Sequence, residues 1–138
     1  MITAIDSNIL IDVIGSPSRF TDPAIQALDE ARQAGALIIS PIVVAEIAGH
    51  FSSASQQEKC LREMGLRLID FSMEDSFHAG QAYIAYKSRS KDPKPRMLAD
   101  FLVGAHASLQ ADQLMTRDRG YYRTYFPKLK IVEPTRSV

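Results

Sequence analysis

The feature of this sequence that most constrains its fold is the alternation of short apolar runs with longer segments of helical periodicity. Runs this short and this apolar are typical of buried strands. We predict strands at residues 2–5, 37–40, 66–71, 113–116 and 129–132. Because strands that alternate with helices form parallel sheets, the sequence predicts an α/β fold, a three-layer α/β/α sandwich around a central, mostly parallel five-stranded sheet.

The predicted helices lie between these strands. Asp22 is an expected N-cap, with Pro23 in the first helical position, and Gly35 is expected to end the same helix. The helices are predicted at residues 22–34, from 41 onward, and at 55–64, 73–87, 98–109 and 118–125. The stretch 88–96 contains two prolines and several basic residues, which indicates a loop.

Length and composition indicate a single globular domain over residues 1–138, with no internal repeat or linker. Cys60 is the only cysteine, so no disulfide can form within the chain. The N-terminus lacks the pattern of a signal peptide, and no apolar run reaches the roughly 18 residues of a membrane span. We therefore expect a cytoplasmic protein without a membrane partner.

The net charge is zero, which taken alone argues against binding to nucleic acid. The charges are unevenly distributed, however. Residues 1–86 contain five basic and eleven acidic residues, a net charge of −6, and residues 87–138 contain eleven basic and five acidic residues, a net charge of +6. Such asymmetry is typical of a polyanion-binding face, although a solvated basic loop explains it equally well.

Four acidic residues fall where the carboxyl ends of the predicted strands meet. Asp6 directly follows the first strand, and Asp118 comes two residues after the fourth. Glu46 lies in the first turns of the helix after the second strand, and Asp100 in the first turn of the helix that leads into the fourth. Because functional crevices in parallel sheets lie at these strand ends, the four carboxylates are expected to converge there.

Carboxylates that converge repel each other, so a site that keeps them together needs cations. An all-oxygen ligand set favours Mg²⁺ or Mn²⁺ over Zn²⁺, and such ions also bind phosphate oxygens and activate water. The nearby basic residues Lys94, Arg96 and Arg117 are candidates for binding a polyanionic substrate. These residues predict a cation site that activates water for attack on the phosphate groups of a polyanion.

Each acid also has a purely structural explanation. Asp6 can be a turn residue, Asp100 a helix-dipole acid and Asp118 an N-cap. Glu46 is harder to explain in this way, because its apolar neighbours predict a buried helix. The coincidence of all four at one edge favours a functional site.

Two further polar residues are set apart from this site. His106 lies six residues after Asp100 on the same predicted helix, rotated away from it, and is expected to pack or to form a hydrogen bond. Asp12 lies six residues after Asp6 and is not included among the predicted site residues.

Four segments that contain the acids resemble the motifs of PIN-domain nucleases. They are Ile5–Leu10, Val44–Ile47, Ala99–Ala107 and Thr116–Tyr122. Within that family, the chain is similar to the toxin halves of bacterial and archaeal VapBC toxin–antitoxin modules. The resemblance extends over essentially the whole chain, and its specificity comes from the order and spacing of the four segments.

The resemblance implies that Asp6, Glu46, Asp100 and Asp118 are the catalytic acids and bind one or two Mg²⁺ or Mn²⁺ ions. It also implies that hydrogen bonds from Ser7 or Asn8, and from Thr116, support the site. The implied activity is endonucleolytic cleavage of RNA to 5′-phosphate and 3′-hydroxyl ends. The implied partners are a second copy of the chain, in a homodimer, and an antitoxin that covers the site.

Another class of function remains open, namely a catalytically silent PIN-like module that only binds an antitoxin or an RNA complex. Loss of one acid would favour that alternative, and all four are present. A phosphatase of the Asp-x-Asp type is disfavoured, because Asn8 stands where the second aspartate is required.

Overall fold

The chain folds around a sheet of five short strands, all of them parallel. The computed structural model describes residues 1–135, so the last three residues of the predicted domain lie outside the described residues. The elements in chain order are β1 (Thr3–Ile5), α1 (Ser7–Ile14), α2 (Thr21–Ala34), β2 (Leu37–Ile39), α3 (Pro41–Ile47), a 3₁₀ turn (Ala48–His50), α4 (Ala54–Glu63), β3 (Leu66–Leu68), α5 (Met73–Arg89), α6 (Leu98–Gln110), β4 (Gln113–Met115), α7 (Arg119–Tyr125) and β5 (Lys130–Val132).

The strand order in the sheet is β3-β2-β1-β4-β5. The chain thus builds outward from β1 to β3, returns through α5 and α6, and continues on the other side of β1 with β4 and β5. Because crossovers between parallel strands are almost always right-handed, crossovers in the two directions are expected to put helices on both faces of the sheet. The predicted three-layer α/β/α sandwich is confirmed, and the direction of winding reverses between β1 and β4.

The central strands contain the most deeply buried residues. Every residue of β1, β2 and β4 is buried, which explains why these segments are mostly apolar and do not alternate. The buried polar residues Thr3 and Gln113 bond to each other, at 2.8 Å. The edge strands differ, since Arg67 and Leu68 of β3 and Lys130 of β5 are exposed. Within residues 1–135, no helix combines the length and the apolar character needed to cross a membrane.

Two helix predictions near the N-terminus were wrong. Helix α1 was not predicted, because Asp6 was interpreted as the end of a strand; its Oδ1 accepts a hydrogen bond from the Ser7 backbone N–H at 2.8 Å and starts a helix. Helix α2 begins at Thr21, not at an Asp22 cap, because the Ser18 backbone N–H donates to the Thr21 hydroxyl at 2.9 Å in a preceding turn. The end of α2 at Gly35 is confirmed.

Helix α6 packs closely against its surroundings. His106 is buried, with its Nε2 2.8 Å from the Ile69 carbonyl oxygen and its ring edge-on to Phe71, as expected for a packing histidine. The Phe126 ring lies directly over Gly104, where a Cβ atom would come within 2.2 Å of Phe126 Cε2. Only glycine at this position allows the ring to pack on the helix backbone.

Replacing Gly104 with alanine is therefore expected to lower the free energy of unfolding by about 1–2 kcal/mol, because the new methyl group overlaps the Phe126 ring. Urea denaturation would measure this change. Gly80→Ala is the matched control, since its Cβ meets nothing within 4 Å, and it should stabilise α5 by roughly 0.5–1 kcal/mol. Equal effects of the two substitutions would contradict the packing explanation.

Candidate active site

The candidate site lies at the carboxyl ends of β1 and β4, where the winding of the sheet reverses. Ile5 pairs with Met115 in the two strands, and the Asp6 backbone N–H donates to the Met115 carbonyl oxygen at 3.0 Å. Asp6 and Thr116 therefore leave the sheet side by side. Crevices at such reversal points are the usual ligand sites of parallel sheets.

Asp6 is the most buried of the four predicted acids, and its carboxylate accepts hydrogen bonds from three segments of the chain. Its Oδ2 accepts from the Thr116 hydroxyl at 2.8 Å and from the Tyr122 hydroxyl at 3.2 Å. The Asn8 side-chain amide is 3.4 Å from the same oxygen. Together with the bond from Ser7 N–H to Oδ1, these donors hold the carboxylate in one orientation.

The Thr116 hydroxyl links the segments that carry Asp6 and Asp118. It donates to Asp6 and accepts from the Asn8 amide at 3.1 Å and from the Asp118 backbone N–H at 3.0 Å. One donated and two accepted bonds use the full capacity of a hydroxyl group. The Arg117 backbone N–H donates in turn to Asn8 Oδ1 at 3.1 Å, so Asn8 also connects α1 with the end of β4.

Burial of Asp6 has a clear electrostatic consequence. Loss of hydration raises the pKa of Asp6, and the charge of Asp118 raises it further, while the hydrogen bonds from Thr116, Ser7 and Tyr122 lower it. The net direction is upward, so desolvation outweighs the donors. A cation close to Asp6 would relieve this cost.

Glu46 is closer to solvent than the sequence suggests. The helix around it was expected to be buried, but this was wrong: α3 buries only Val43 and Ile47, and the Glu46 side chain is exposed. The helix lies on the core with one face, so its apolar composition overstated its burial. The pKa of Glu46 is nevertheless raised, first by partial loss of hydration and then by the charges of Asp6 and Asp100, against a lowering hydrogen bond from Ser7.

Asp100 and Asp118 already have partners in the described structure. Asp100 Oδ2 accepts from the Met97 backbone N–H at 3.2 Å, in the first turn of α6. Asp118 precedes α7 without capping it through its side chain, and its carboxylate instead pairs with Arg96. Asp118 thus occupies the N-cap position of α7 but makes no capping hydrogen bond with its side chain. Asp100 lies in the first turn of α6, where the helix dipole favours an acid.

The basic residues that were candidates for substrate binding lie in different surroundings. Arg96 is 2.7 Å from Asp118 and half-buried, whereas the Lys94 side chain is exposed on the loop before α6. Arg117 is held within the protein, with its guanidinium 2.7 Å from Asp12 and 4.0 Å above the ring of Phe20. Of the three, only Arg96 touches a predicted acid among the described contacts.

Asp12 was left out of the predicted site, yet it positions the segment that carries Asp118. Its buried carboxylate accepts two hydrogen bonds from Arg117, at 2.7 and 3.0 Å. Tyr122 was also missed as a donor to Asp6. The only sequence signal for Asp12 was a charge on the buried side of an otherwise apolar helix, which calls for a partner from elsewhere in the chain.

The donor chemistry of the cluster fits a hard divalent cation. All candidate ligands are carboxylate oxygens, and loss of hydration, followed by repulsion from neighbouring acids, raises the pKa of Asp6 and of Glu46. In their present positions, no three His, Cys, Asp or Glu side chains among residues 1–135 are arranged to surround one ion. Asp6, Glu46, Asp100 and Asp118 are the carboxylates that would hold such an ion.

The fold and the site together define a parallel α/β protein with an acidic cluster at its strand reversal. The model of the PIN domain family matches residues 3–127, a range that includes all four acids. The chain belongs to the PIN-domain family.

Solved structures with low sequence identity share the fold. One is the crystal structure of VapBC2 from Rickettsia felis bound to a DNA fragment from its promoter. It is similar with a TM-score of 0.73 and 22% sequence identity, and the match covers 96% of this chain and 98% of that chain. VapBC-1 from nontypeable Haemophilus influenzae has a TM-score of 0.68 and 22% sequence identity, and the match covers 99% of this chain and 100% of that chain. FitAcB from Neisseria gonorrhoeae has a TM-score of 0.67 and 19% sequence identity, and the match covers 97% of this chain and 98% of that chain. No curated protein is similar enough in sequence to count as a match.

Asp12→Asn is expected to lower the free energy of unfolding by about 1–3 kcal/mol, because it leaves Arg117 without its anionic partner. Thermal or urea denaturation would measure the loss. Asp29→Asn is the control: it breaks an exposed ion pair with Arg32 and should change stability by less than about 0.5 kcal/mol. An equally small effect of both would show that Asp12 does not anchor Arg117.

Proposed function

We propose that this protein is a Mg²⁺- or Mn²⁺-dependent endoribonuclease and the toxin of a toxin–antitoxin pair. The observation that carries the proposal is the hydrogen-bond network of Asp6, which ties three chain segments together around a carboxylate whose burial raises its pKa. A purely structural role would favour a neutral residue at this position. Membership in the PIN-domain family supports nuclease chemistry for such a cluster.

In this proposal the residues divide the work of hydrolysis among them. Asp6, Glu46, Asp100 and Asp118 hold the divalent cation, which when bound supplies Lewis acidity, a more acidic water molecule and a countercharge for the phosphate. Thr116 fixes the orientation of Asp6 through its hydroxyl group. The expected products carry 5′-phosphate and 3′-hydroxyl ends.

The supporting and substrate-binding roles follow from position. Asn8 and Ser7 hold Asp6 and Glu46, and Asn8 also holds the Arg117 backbone. Arg96 and the exposed Lys94 lie on the loop before α6, and we propose that they bind RNA phosphates. Arg117 is committed to Asp12 and contributes to substrate binding mainly by positioning this segment.

Two protein partners complete the proposal. The structural relatives in R. felis and H. influenzae are VapBC proteins, which supports an antitoxin as a partner. We propose that the antitoxin covers the acidic site. Helix α5 exposes Met73, Phe77 and Ile84, and large exposed apolar side chains of this kind favour a protein contact. We assign this surface to a homodimer.

Cleavage of a mixed RNA pool by purified protein with Mg²⁺ or Mn²⁺ tests the activity. Thr116→Val should reduce the cleavage rate by about 10- to 100-fold, because it removes the donor that orients Asp6. Asp6→Asn should reduce it at least as much, and EDTA should abolish it. Thr124→Val is the matched control, since Thr124 is exposed on α7 and bonds only to the Gly120 carbonyl oxygen among its described hydrogen bonds.

The outcomes separate the two candidate functions. Discrete fragments with 5′-phosphate ends, lost in Thr116→Val but not in Thr124→Val, would support the endoribonuclease. Cleavage that survives Asp6→Asn would refute the assigned site. A folded, antitoxin-free protein that binds divalent metal and cleaves no RNA would favour the catalytically silent binding module.

Divalent metal is expected to stabilise the protein more at pH 8 than at pH 5. The pKa values of Asp6 and Glu46 are raised, so in the metal-free protein their ionisation destabilises the fold as pH rises through those values. The cation binds the ionised carboxylates and reverses that cost, and protonation at low pH prevents its binding. The rise in Tm on addition of about 5 mM Mg²⁺ measures the effect. An equal rise at both pH values would contradict it.

A further inference from the structure

Arg96 is the one basic side chain described in contact with the predicted acids. Its Nη1 lies 2.7 Å from Asp118 Oδ2, and its Nη2 lies 3.4 Å from Asp118 Oδ1. Both carboxylate oxygens of Asp118 are therefore engaged by one guanidinium group. The same oxygens are the ones that a cation at this site needs.

The protein holds this guanidinium in a prepared position. The arginine carbon Cζ lies 4.3 Å from the centre of the Tyr121 ring, in a cation–π contact. The Arg96 backbone N–H donates to the hydroxyl oxygen of Tyr86 at 2.6 Å, and Tyr86 is itself buried at the end of α5. The backbone and the flat face of the side chain are thus both fixed, independently of Asp118.

The ion pair itself is of the exchangeable kind. Arg96 and Asp118 retain 34% and 38% of their side-chain exposure, and pairs of this exposure contribute little to stability. The Arg117 pair differs, because its carboxylate, on Asp12, is only 7% exposed and cannot be hydrated if the partner leaves. Asp118 can therefore lose its arginine at small cost, and Asp12 cannot.

Charge balance gives the exchange a direction. Without a cation, Arg96 is the nearest positive charge for Asp118 and also acts on Asp100. When a divalent cation binds the same carboxylates, its charge repels the guanidinium and takes over its role. Arg96 then loses its attraction to Asp118. Its contacts with Tyr121 and Tyr86 still hold it beside the site.

We propose that Arg96 is an exchangeable internal counter-ion. It occupies both carboxylate oxygens of Asp118 in the metal-free protein and must leave them when a divalent cation binds. The inference rests on the proposed function only in taking the acidic cluster to be a divalent-cation site. It follows that the chain lowers its own affinity for metal. The released guanidinium, still resting on Tyr121, becomes available to a substrate phosphate.

Isothermal titration of Mn²⁺ into wild type, Arg96→Gln and Arg119→Gln tests the proposal. Removing the competitor should tighten Mn²⁺ binding by about two- to fivefold in Arg96→Gln, the range that corresponds to a partly exposed ion pair. Arg119→Gln removes the same charge one residue from Asp118, but Arg119 pairs with Glu133. Its affinity should stay close to that of the wild type.

A second measurement observes the arginine directly in the wild-type protein. The side-chain N–H resonances of Arg96, assigned by comparison with Arg96→Gln, should shift and exchange faster with water as Mg²⁺ is added. The resonances of Arg117 should not move, since its pair with Asp12 is retained. This readout does not depend on the variant's stability or on any nuclease activity.

Each result decides the matter. Tighter binding in Arg96→Gln alone, with the arginine signal shifting on Mg²⁺, supports the exchange. Equal affinities of Arg96→Gln and Arg119→Gln, or weaker binding in Arg96→Gln, would overturn the inference while leaving the metal site intact. Failure of every variant, wild type included, to bind Mn²⁺ would overturn the metal site and this inference together.

Discussion

The burial of Asp6 is the constraint on which the arrangement of the site depends. A carboxylate in this position loses much of its hydration, and the fold compensates with donors from α1, from the end of β4 and from α7. Thr116 and Tyr122 are distant from Asp6 in sequence, so these bonds can form only when the strands are paired. The same bonds that make burial tolerable therefore bring the segment of Asp118 to the end of β1.

The compensation is incomplete, and this incompleteness has functional meaning. If the donors balanced the loss of hydration, the pKa of Asp6 would not be raised, yet it is, and that of Glu46 is raised as well. The metal-free cluster therefore carries an electrostatic cost that neutral residues would avoid. In the proposed function a divalent cation would remove this cost, so its binding energy and the stability of the site would be linked.

The sequence predicts the sheet and the position of the acids better than the contacts between them. Short apolar runs identify buried strands, and residues that follow such strands must meet at one edge, which is why Asp6 and Asp118 could be placed together. The pair of Asp12 with Arg117 spans 105 residues, and no local signal identifies Arg117 as the partner of Asp12. The exposure of Glu46 was missed for a related reason: a short helix can be apolar all round and still bury only one face.

Two arginines near the end of β4 illustrate how similar ion pairs can have different roles. Arg117 is bonded to a buried aspartate on α1, and this pair fixes the segment 116–118 against the rest of the protein. Arg96 approaches the same segment from the loop before α6 and meets an aspartate that water can reach. Because Arg117 and Thr116 already hold the backbone, Asp118 can change its partner without moving the segment. The fixed pair of Asp12 with Arg117 thus allows Asp118 to exchange Arg96 for another cation. The two ion pairs differ in role because their carboxylates differ in exposure, and not because of their arginines.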